Sequence, residues 1–199
     1  PIHVSNEKNL YTDILNQKNS TGHRFASIPA FTENGGMIRR QCTHEYKIQP
    51  VIKQIRELHG LKPHKHMPKT QVWLGISLDE IERVKESVLP RIEYYYPLIE
   101  SRMSRSDCMK IFDRFNFPRP PKSSCVFCPY HSDKNWKDLK ENDPESFEKA
   151  VEVDEAIRDM SQRGMKEPIY IHRSCKPLKD VEFVDQQELF MCEEGFCGL

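Results

Sequence analysis

The length, composition and charge of the chain exclude several protein classes. Its 199 residues suit one domain of ordinary size, and its 30 basic and 30 acidic residues cancel, so no global field favours nucleic acid or an acidic membrane surface. No apolar run approaches the roughly 20 residues of a membrane span, and the first ten residues lack the apolar centre of a secretory signal, which favours a soluble, cytoplasmic protein.

Two helices are predicted in the first third of the chain. The stretch from Asn9 to Asn16 suits a short helix. Apolar residues from Ile48 to Leu58 recur with a period close to 3.6, which predicts a helix from about Thr43 to His59. Thr43 is its predicted N-cap, and Pro50 is a position where this helix can kink.

A cysteine and two arginines precede that second helix. Cys42 follows Arg39 and Arg40 in the sequence. The helix dipole and the guanidinium charges at this position favour the thiolate form of a cysteine. The alternative is a half-buried thiol beside two surface arginines.

The strongest strand prediction covers residues 70–76. The run from Thr70 to Ile76 is almost continuously apolar, as in strands buried in a parallel sheet. A short helix is predicted to begin at Asp79, so that Ser77 and Arg83 lie at the carboxyl end of the strand, where open α/β sheets bind ligands. The alternative for this helix is a solvated face of alternating charge.

Aromatic and apolar runs predict further extended segments. The run from Tyr94 to Leu98 suits a packed strand, with base stacking as the alternative. A second buried strand is predicted from Ile169 to Ile171, and Arg173 follows it among polar residues.

Capping residues predict three helices in the second half. A helix from Ser104 to Phe115, capped by Ser104 or Ser106, carries Cys108 in its first turns. Ser132 begins a helix that extends through Leu139. Asp143 begins a longer one, with proline at its first position, that extends to Gly164.

A Cys-x-x-Cys turn connects a proline-rich segment to the second of these helices. Cys125 and Cys128 are two residues apart, so both sulfurs can reach one metal ion or one iron–sulfur cluster. A redox pair or two buried thiols are the alternatives. Seven cysteines in a chain without a secretory signal favour metal ligands and reactive thiols over disulfides. Together with Cys42 and Cys108, the turn provides four thiols, the number that a [4Fe-4S] cluster or a structural zinc ion needs.

Four sequence blocks resemble the phosphoadenosine phosphosulfate and adenosine phosphosulfate reductases of the PP-loop adenine nucleotide α-hydrolase superfamily. The likeness is closer to a reductase-like group that phages and bacteria often carry, and it extends over essentially the whole chain. The blocks are Arg39-Arg40-Gln41-Cys42-Thr43, Val72-Trp73-Leu74-Gly75-Ile76-Ser77 with Arg83, Ser124-Cys125-Val126-Phe127-Cys128-Pro129, and Phe196-Cys197-Gly198-Leu199.

The resemblance implies an α/β fold, a partial PP-loop parallel sheet with helices and a Cys-rich C-terminal part. It implies one reductase-like domain over residues 1–199, in which residues 1–100 are the remainder of the nucleotide-binding core and residues 101–199 are helical and Cys-rich. The Ser-Gly-Gly-x-Asp-Ser phosphate loop of the superfamily is missing from the sequence. Either the chain is a fragment without that loop, or a second subunit supplies it.

The resemblance also implies roles for individual residues. A [4Fe-4S] cluster, or zinc instead, would be bound by Cys42, Cys108, Cys125 and Cys128. An adenine nucleotide or its phosphate and sulfate groups would be held by Arg39, Arg40, Ser77, Arg83 and Arg173. Cys197, or else Cys192, would be a nucleophilic thiol on the C-terminal tail.

These roles predict an oxidoreductase-type or sulfurtransferase-type domain that acts on an adenylated or sulfur-bearing small molecule. Sulfur transfer to tRNA or DNA fits the same residues. The alternative from another class is a non-catalytic, zinc-stabilised binding module, in which zinc is bound by Cys125, Cys128 and some of Cys42, Cys108 and His131.

Overall fold

The computed structural model describes Val4 and residues 8–16, 28–120, 124–161 and 165–183. The described chain forms two compact units. The first contains the described residues up to Ile52 and those from Ser124 onward, and the second contains Lys53 to Pro120. In the described part, no helix has the length and apolar character needed to cross a membrane.

Helices predominate over strands, in a mixed α/β arrangement. The α-helices are α1 (Leu10–Leu15), α2 (Gln49–Leu58), α3 (Pro97–Glu100), α4 (Arg105–Arg114), α5 (Asp133–Asn142) and α6 (Pro144–Ile157). The strands are β1 (Phe31–Thr32), β2 (Thr70–Trp73), β3 (Ile92–Tyr95) and β4 (Ile169–Tyr170). Short 3₁₀ segments cover Leu78–Arg83 and Leu178–Asp180.

Helix α6 is the centre of the first unit. It packs against α1, α5, β4 and the 3₁₀ turn at Leu178–Asp180. Its apolar side chains lie on one face because they recur with helical spacing, and they meet Trp136 of α5 and Ile14 of α1 in one core. The largest fully buried apolar side chains of this unit are Ile14, Trp136, Val153, Ile157, Ile169, Ile171 and Leu178.

Each described sheet has two strands, and the two sheets differ in direction. Strand β2 runs parallel to β3, with Thr70 opposite Ile92 and Trp73 opposite Tyr95. Strand β4 is buried as predicted, but it pairs with β1 in antiparallel fashion. Strand β2 is not buried, contrary to the prediction, because Gln71 and Trp73 point away from the packed face of a sheet with one neighbouring strand, and Trp73 is 66% exposed.

The predicted caps of α4, α5 and α6 are confirmed. The Ser104 hydroxyl accepts a hydrogen bond from the Asp107 N–H (3.2 Å), and the Asp107 carboxylate accepts one from the Ser104 N–H (3.1 Å), which forms a capping box. Ser132 and Asp143 cap α5 and α6 with one side-chain acceptor each, for the N–H groups of Asn135 and Ser146. Helix α6 ends at Ile157, earlier than predicted, and the Arg158 N–H closes its last turn on the Glu155 carbonyl.

The helix after Cys42 differs from the prediction at its start. The chain is helical from Cys42 onward, so Thr43 lies inside the helix (φ −62°, ψ −45°) and makes no side-chain cap. A π-helical turn at His44–Ile48 precedes Pro50. Proline lacks the N–H that would bond to the carbonyl four residues earlier, and a wider turn with bonds between residues five apart accommodates this loss.

Candidate functional site

The Cys-x-x-Cys segment is a tight, hydrogen-bonded turn. The Cys128 N–H donates to the Cys125 carbonyl (3.0 Å), and the His131 N–H donates to the Cys128 carbonyl (3.1 Å). The imidazole Nε2 of His131 lies 2.8 Å from the same Cys125 carbonyl. A carbonyl only accepts, so Nε2 carries the proton of the neutral ring and Nδ1 is its basic nitrogen. The turn is therefore held by two backbone hydrogen bonds and by the His131 side chain.

The residues between the two cysteines anchor this turn to the core. Phe127 is buried, and Val126 packs against the same cluster. The Tyr11 ring lies 6.2 Å from Phe127, and the His131 ring meets the buried Trp136 edge-on at 4.8 Å. The turn is thus held on both sides by aromatic side chains of α1 and α5.

The start of the helix at Cys42 lies beside the Cys turn. The Arg40 guanidinium is 5.8 Å from the centre of the Tyr130 ring, a cation–π contact between the two segments. Cys42 is half-buried and packs against the core cluster that contains Phe127. The segment that precedes Cys42 therefore contacts the Cys turn, and Cys42 packs against the same core as Phe127.

Tyr46 lies near Cys42 and forms a hydrogen bond with α1. The Tyr46 hydroxyl donates to an Asp13 carboxylate oxygen (2.6 Å). Burial, this hydrogen bond and, to a smaller extent, the nearby Cys42 sulfur raise the pKa of Tyr46. Tyr46 stays neutral at physiological pH and ties the helix that begins at Cys42 to α1.

The complete four-cysteine site stays a prediction. In the described ranges, no three His, Cys, Asp or Glu side chains are placed so that they could hold one metal ion. Cys125 and Cys128 fit as two adjacent thiolate donors, whereas Cys108 belongs to α4 in the second unit. The predicted nucleophiles Cys192 and Cys197 lie outside the described residues.

The polar residues after β4 form a second group in the first unit. His172 is only 3% exposed, and its Nδ1 accepts the Ser174 N–H (3.2 Å), so the proton of the neutral ring is on Nε2. Nε2 lies 3.4 Å from an Asp133 carboxylate oxygen, to which Arg173 also donates (2.7 Å). Burial lowers the pKa of His172, although Asp133 acts in the opposite direction. Arg173, a predicted anion ligand, is thus engaged by Asp133 at the start of α5.

Sequence analysis missed the residue that holds this segment in place. Asp154 of α6 is fully buried, and its carboxylate accepts the N–H groups of Ile171 and Leu178 (2.9 Å each) and pairs with Arg158. The sequence did contain a signal, because Asp154 occurs on the apolar face of α6 between Val151 and Ile157. A carboxylate on such a face needs buried donors.

The other predicted anion-binding residues have different surroundings. Arg39 is exposed in the first unit. In the second unit, Ser77 is buried after β2, where its carbonyl accepts the Glu80 N–H (3.0 Å), and Arg83 pairs with Glu80. Ser77 comes four residues after the end of β2 and its role in anion binding stays a prediction, while the Arg83 guanidinium contacts a carboxylate of its own 3₁₀ segment.

Comparisons with known proteins were made for the whole chain. It matches no protein-family model, no curated protein and no solved structure.

Proposed function

We propose that this chain is a phosphoadenosine phosphosulfate reductase-like enzyme domain that binds a metal ion or a [4Fe-4S] cluster at the Cys turn and acts on an adenylated or sulfur-bearing substrate. The observation that carries the proposal is the contact of Arg40 with Tyr130. This contact joins Arg40, a predicted anion ligand two residues before Cys42, to Tyr130, which follows Cys128 by two residues.

The chemistry of these groups suits that substrate class. Guanidinium groups match the oxygens of phosphate and sulfate, and thiolates hold iron or zinc. A bound cluster or metal would supply redox or Lewis-acid chemistry, while Arg39 and Arg40 would orient an anionic substrate beside it. The parallel β2–β3 pair with Ser77 at its carboxyl end supports the PP-loop-like part of the proposal.

Metal content is the property that tests the proposal. The protein is purified without oxygen, its iron and zinc are measured, and its absorbance near ~400 nm is recorded, where thiolate-ligated iron clusters absorb. We expect Cys125→Ser and Cys128→Ser to lose the metal and to melt at a lower temperature, because metal-binding energy is also folding energy. Cys42→Ser and Cys108→Ser should lose metal too if those residues complete the site.

Cys175→Ser is the matched control. The Cys175 thiol is half-buried and donates to the Thr32 carbonyl (3.4 Å), a bond that serine can replace. This variant should keep both metal and stability. Unchanged metal content and melting temperature in both Cys125→Ser and Cys128→Ser would remove the proposal, and stoichiometric zinc in a colourless protein would assign the turn to a zinc-stabilised module instead of a cluster enzyme.

A further inference from the structure

The C-terminal end of α4 displays two large aromatic rings on the surface of the second unit. Phe115 is 59% exposed and Phe117 is 57% exposed. Single exposed apolar residues are common, but neighbouring exposed rings are typical of binding surfaces. With Phe112 and Arg114, these residues form what we call the aromatic surface.

The backbone holds the aromatic surface in one conformation. Asn116 adopts a left-handed conformation (φ 54°) just after the helix. The Asn116 N–H donates to the Asp113 carbonyl (3.2 Å) and the Phe117 N–H to the Phe112 carbonyl (2.9 Å), which are the two bonds of a Schellman motif. The Phe112 and Phe117 rings meet at 6.3 Å, the apolar contact that accompanies this motif. The Schellman motif therefore fixes the backbone from which Phe115 and Phe117 project.

The exposed rings are nearly parallel, and an arginine guanidinium lies over one of them. The centroids of Phe115 and Phe117 are 6.0 Å apart, and their planes differ by 22°. Arg114 lies over the Phe115 ring at 5.7 Å. Arg119, just beyond, folds back and forms a two-nitrogen fork on the Asp113 carboxylate (2.7–3.0 Å).

Positive charge is concentrated around this surface. Residues 101–122 include six basic and two acidic side chains, within a chain of zero formal charge. Each acidic side chain is already paired: Asp107 with Lys110 (2.8 Å) and Asp113 with Arg119 (2.7 Å). The stretch therefore carries a net excess of basic side chains, and Arg114 is the one whose contact with an exposed ring is shown in the described part of the chain.

We propose that the aromatic surface binds single-stranded nucleic acid, with bases stacked on Phe115 and Phe117 and phosphates held by Arg114 and its basic neighbours. Exposed aromatic faces combined with cations are the features with which proteins bind single strands independently of sequence. An apolar protein partner would need the rings but not the local excess of positive charge. This inference is independent of the proposed function, because none of the residues of the aromatic surface has a role in that proposal.

Fluorescence anisotropy tests the inference with the full chain and labelled 15-nucleotide oligo(dT) and oligo(U). At about 50 mM salt, we expect Phe115→Leu to weaken binding roughly 10-fold, since it removes one stacking ring, whereas Phe115→Tyr keeps the ring and the affinity. Arg114→Gln should reduce the salt dependence by about one phosphate contact. The ratio of the two affinities distinguishes DNA from RNA as the preferred strand.

Trp73→Leu is the control for the loss of an exposed aromatic side chain elsewhere in the second unit. It should leave the affinity unchanged, and circular dichroism should show that every variant is folded. The inference is wrong if neither oligonucleotide binds at about 100 μM protein, or if Phe115→Leu binds as tightly as the parent. It is also wrong if Phe115→Leu abolishes self-association in sedimentation without affecting oligonucleotide binding, which would make the surface an interface between two copies.

Discussion

Asp154 illustrates how one buried side chain determines the position of a whole segment. It accepts two backbone N–H groups, from Ile171 and Leu178, on either side of the polar residues that follow β4. Burial raises the pKa of its carboxyl group, while the two N–H groups and Arg158 act in the opposite direction. These donors replace the water that the carboxylate loses on folding.

Asp154→Asn should therefore destabilise the protein by about 3 kcal/mol, because an amide offers one acceptor oxygen where two are used and leaves Arg158 without its counter-charge. The measurement is urea denaturation followed by circular dichroism. Glu155→Gln is the control at the adjacent position, where the carboxylate pairs with Lys179 on the surface. It should leave the denaturation midpoint nearly unchanged. Equal midpoints for the two variants would contradict the role assigned to Asp154.

His172 predicts a pH dependence of stability. Its pKa in the folded protein lies below the ordinary value of 6.5, mainly because of burial. As the pH falls through 6.5, the unfolded chain takes up a proton that the folded protein does not, so the free energy of unfolding falls by up to about 1.4 kcal/mol per pH unit. This loss continues until the pH reaches the lower pKa of the folded protein.

Denaturation curves between about pH 5.5 and 7 would measure this slope, which should be smaller in His172→Asn. The variant isolates His172 because Asp133, Arg173 and Asp154, the charged groups around it, are present in both proteins. An identical slope in the variant and the parent would mean that His172 titrates alike in the folded and unfolded states.

At the scale of elements, the capping box of α4 should contribute measurably to the stability of the protein, because this helix has no fully buried side chain that would stabilise it by packing. Ser104→Ala should lower stability by about 1 kcal/mol, or the melting temperature by about 2–4 °C, since the N–H of Asp107 loses its acceptor. Ser106→Ala is a matched control, because it removes an exposed hydroxyl from the first turn of the same helix. The thermal melts of the two variants decide the question, and a larger shift for Ser106→Ala would contradict the capping role of Ser104.

Across the whole molecule, sequence analysis predicted best the features that depend on neighbouring residues. The caps at Ser104, Ser132 and Asp143 were predictable because each cap and the N–H groups that it accepts are at most three residues apart. The strand pair β1–β4 was not, because Phe31 pairs with Tyr170 across most of the chain and two-residue strands carry no periodic pattern. The contact of Arg40 with Tyr130 also joins residues that are far apart in the sequence.

Because His131 packs against Trp136, the fluorescence of this tryptophan can be used to follow changes at the Cys turn. Nε2 of His131 donates a hydrogen bond to the Cys125 carbonyl, and the imidazole ring contacts the fully buried indole of Trp136. Metal binding that shifts the Cys125 backbone should therefore move the His131 ring and change the fluorescence of Trp136. The chain contains two tryptophans, Trp73 and Trp136, so a Trp73→Phe protein would emit from Trp136 alone and report binding at the Cys turn without an added dye.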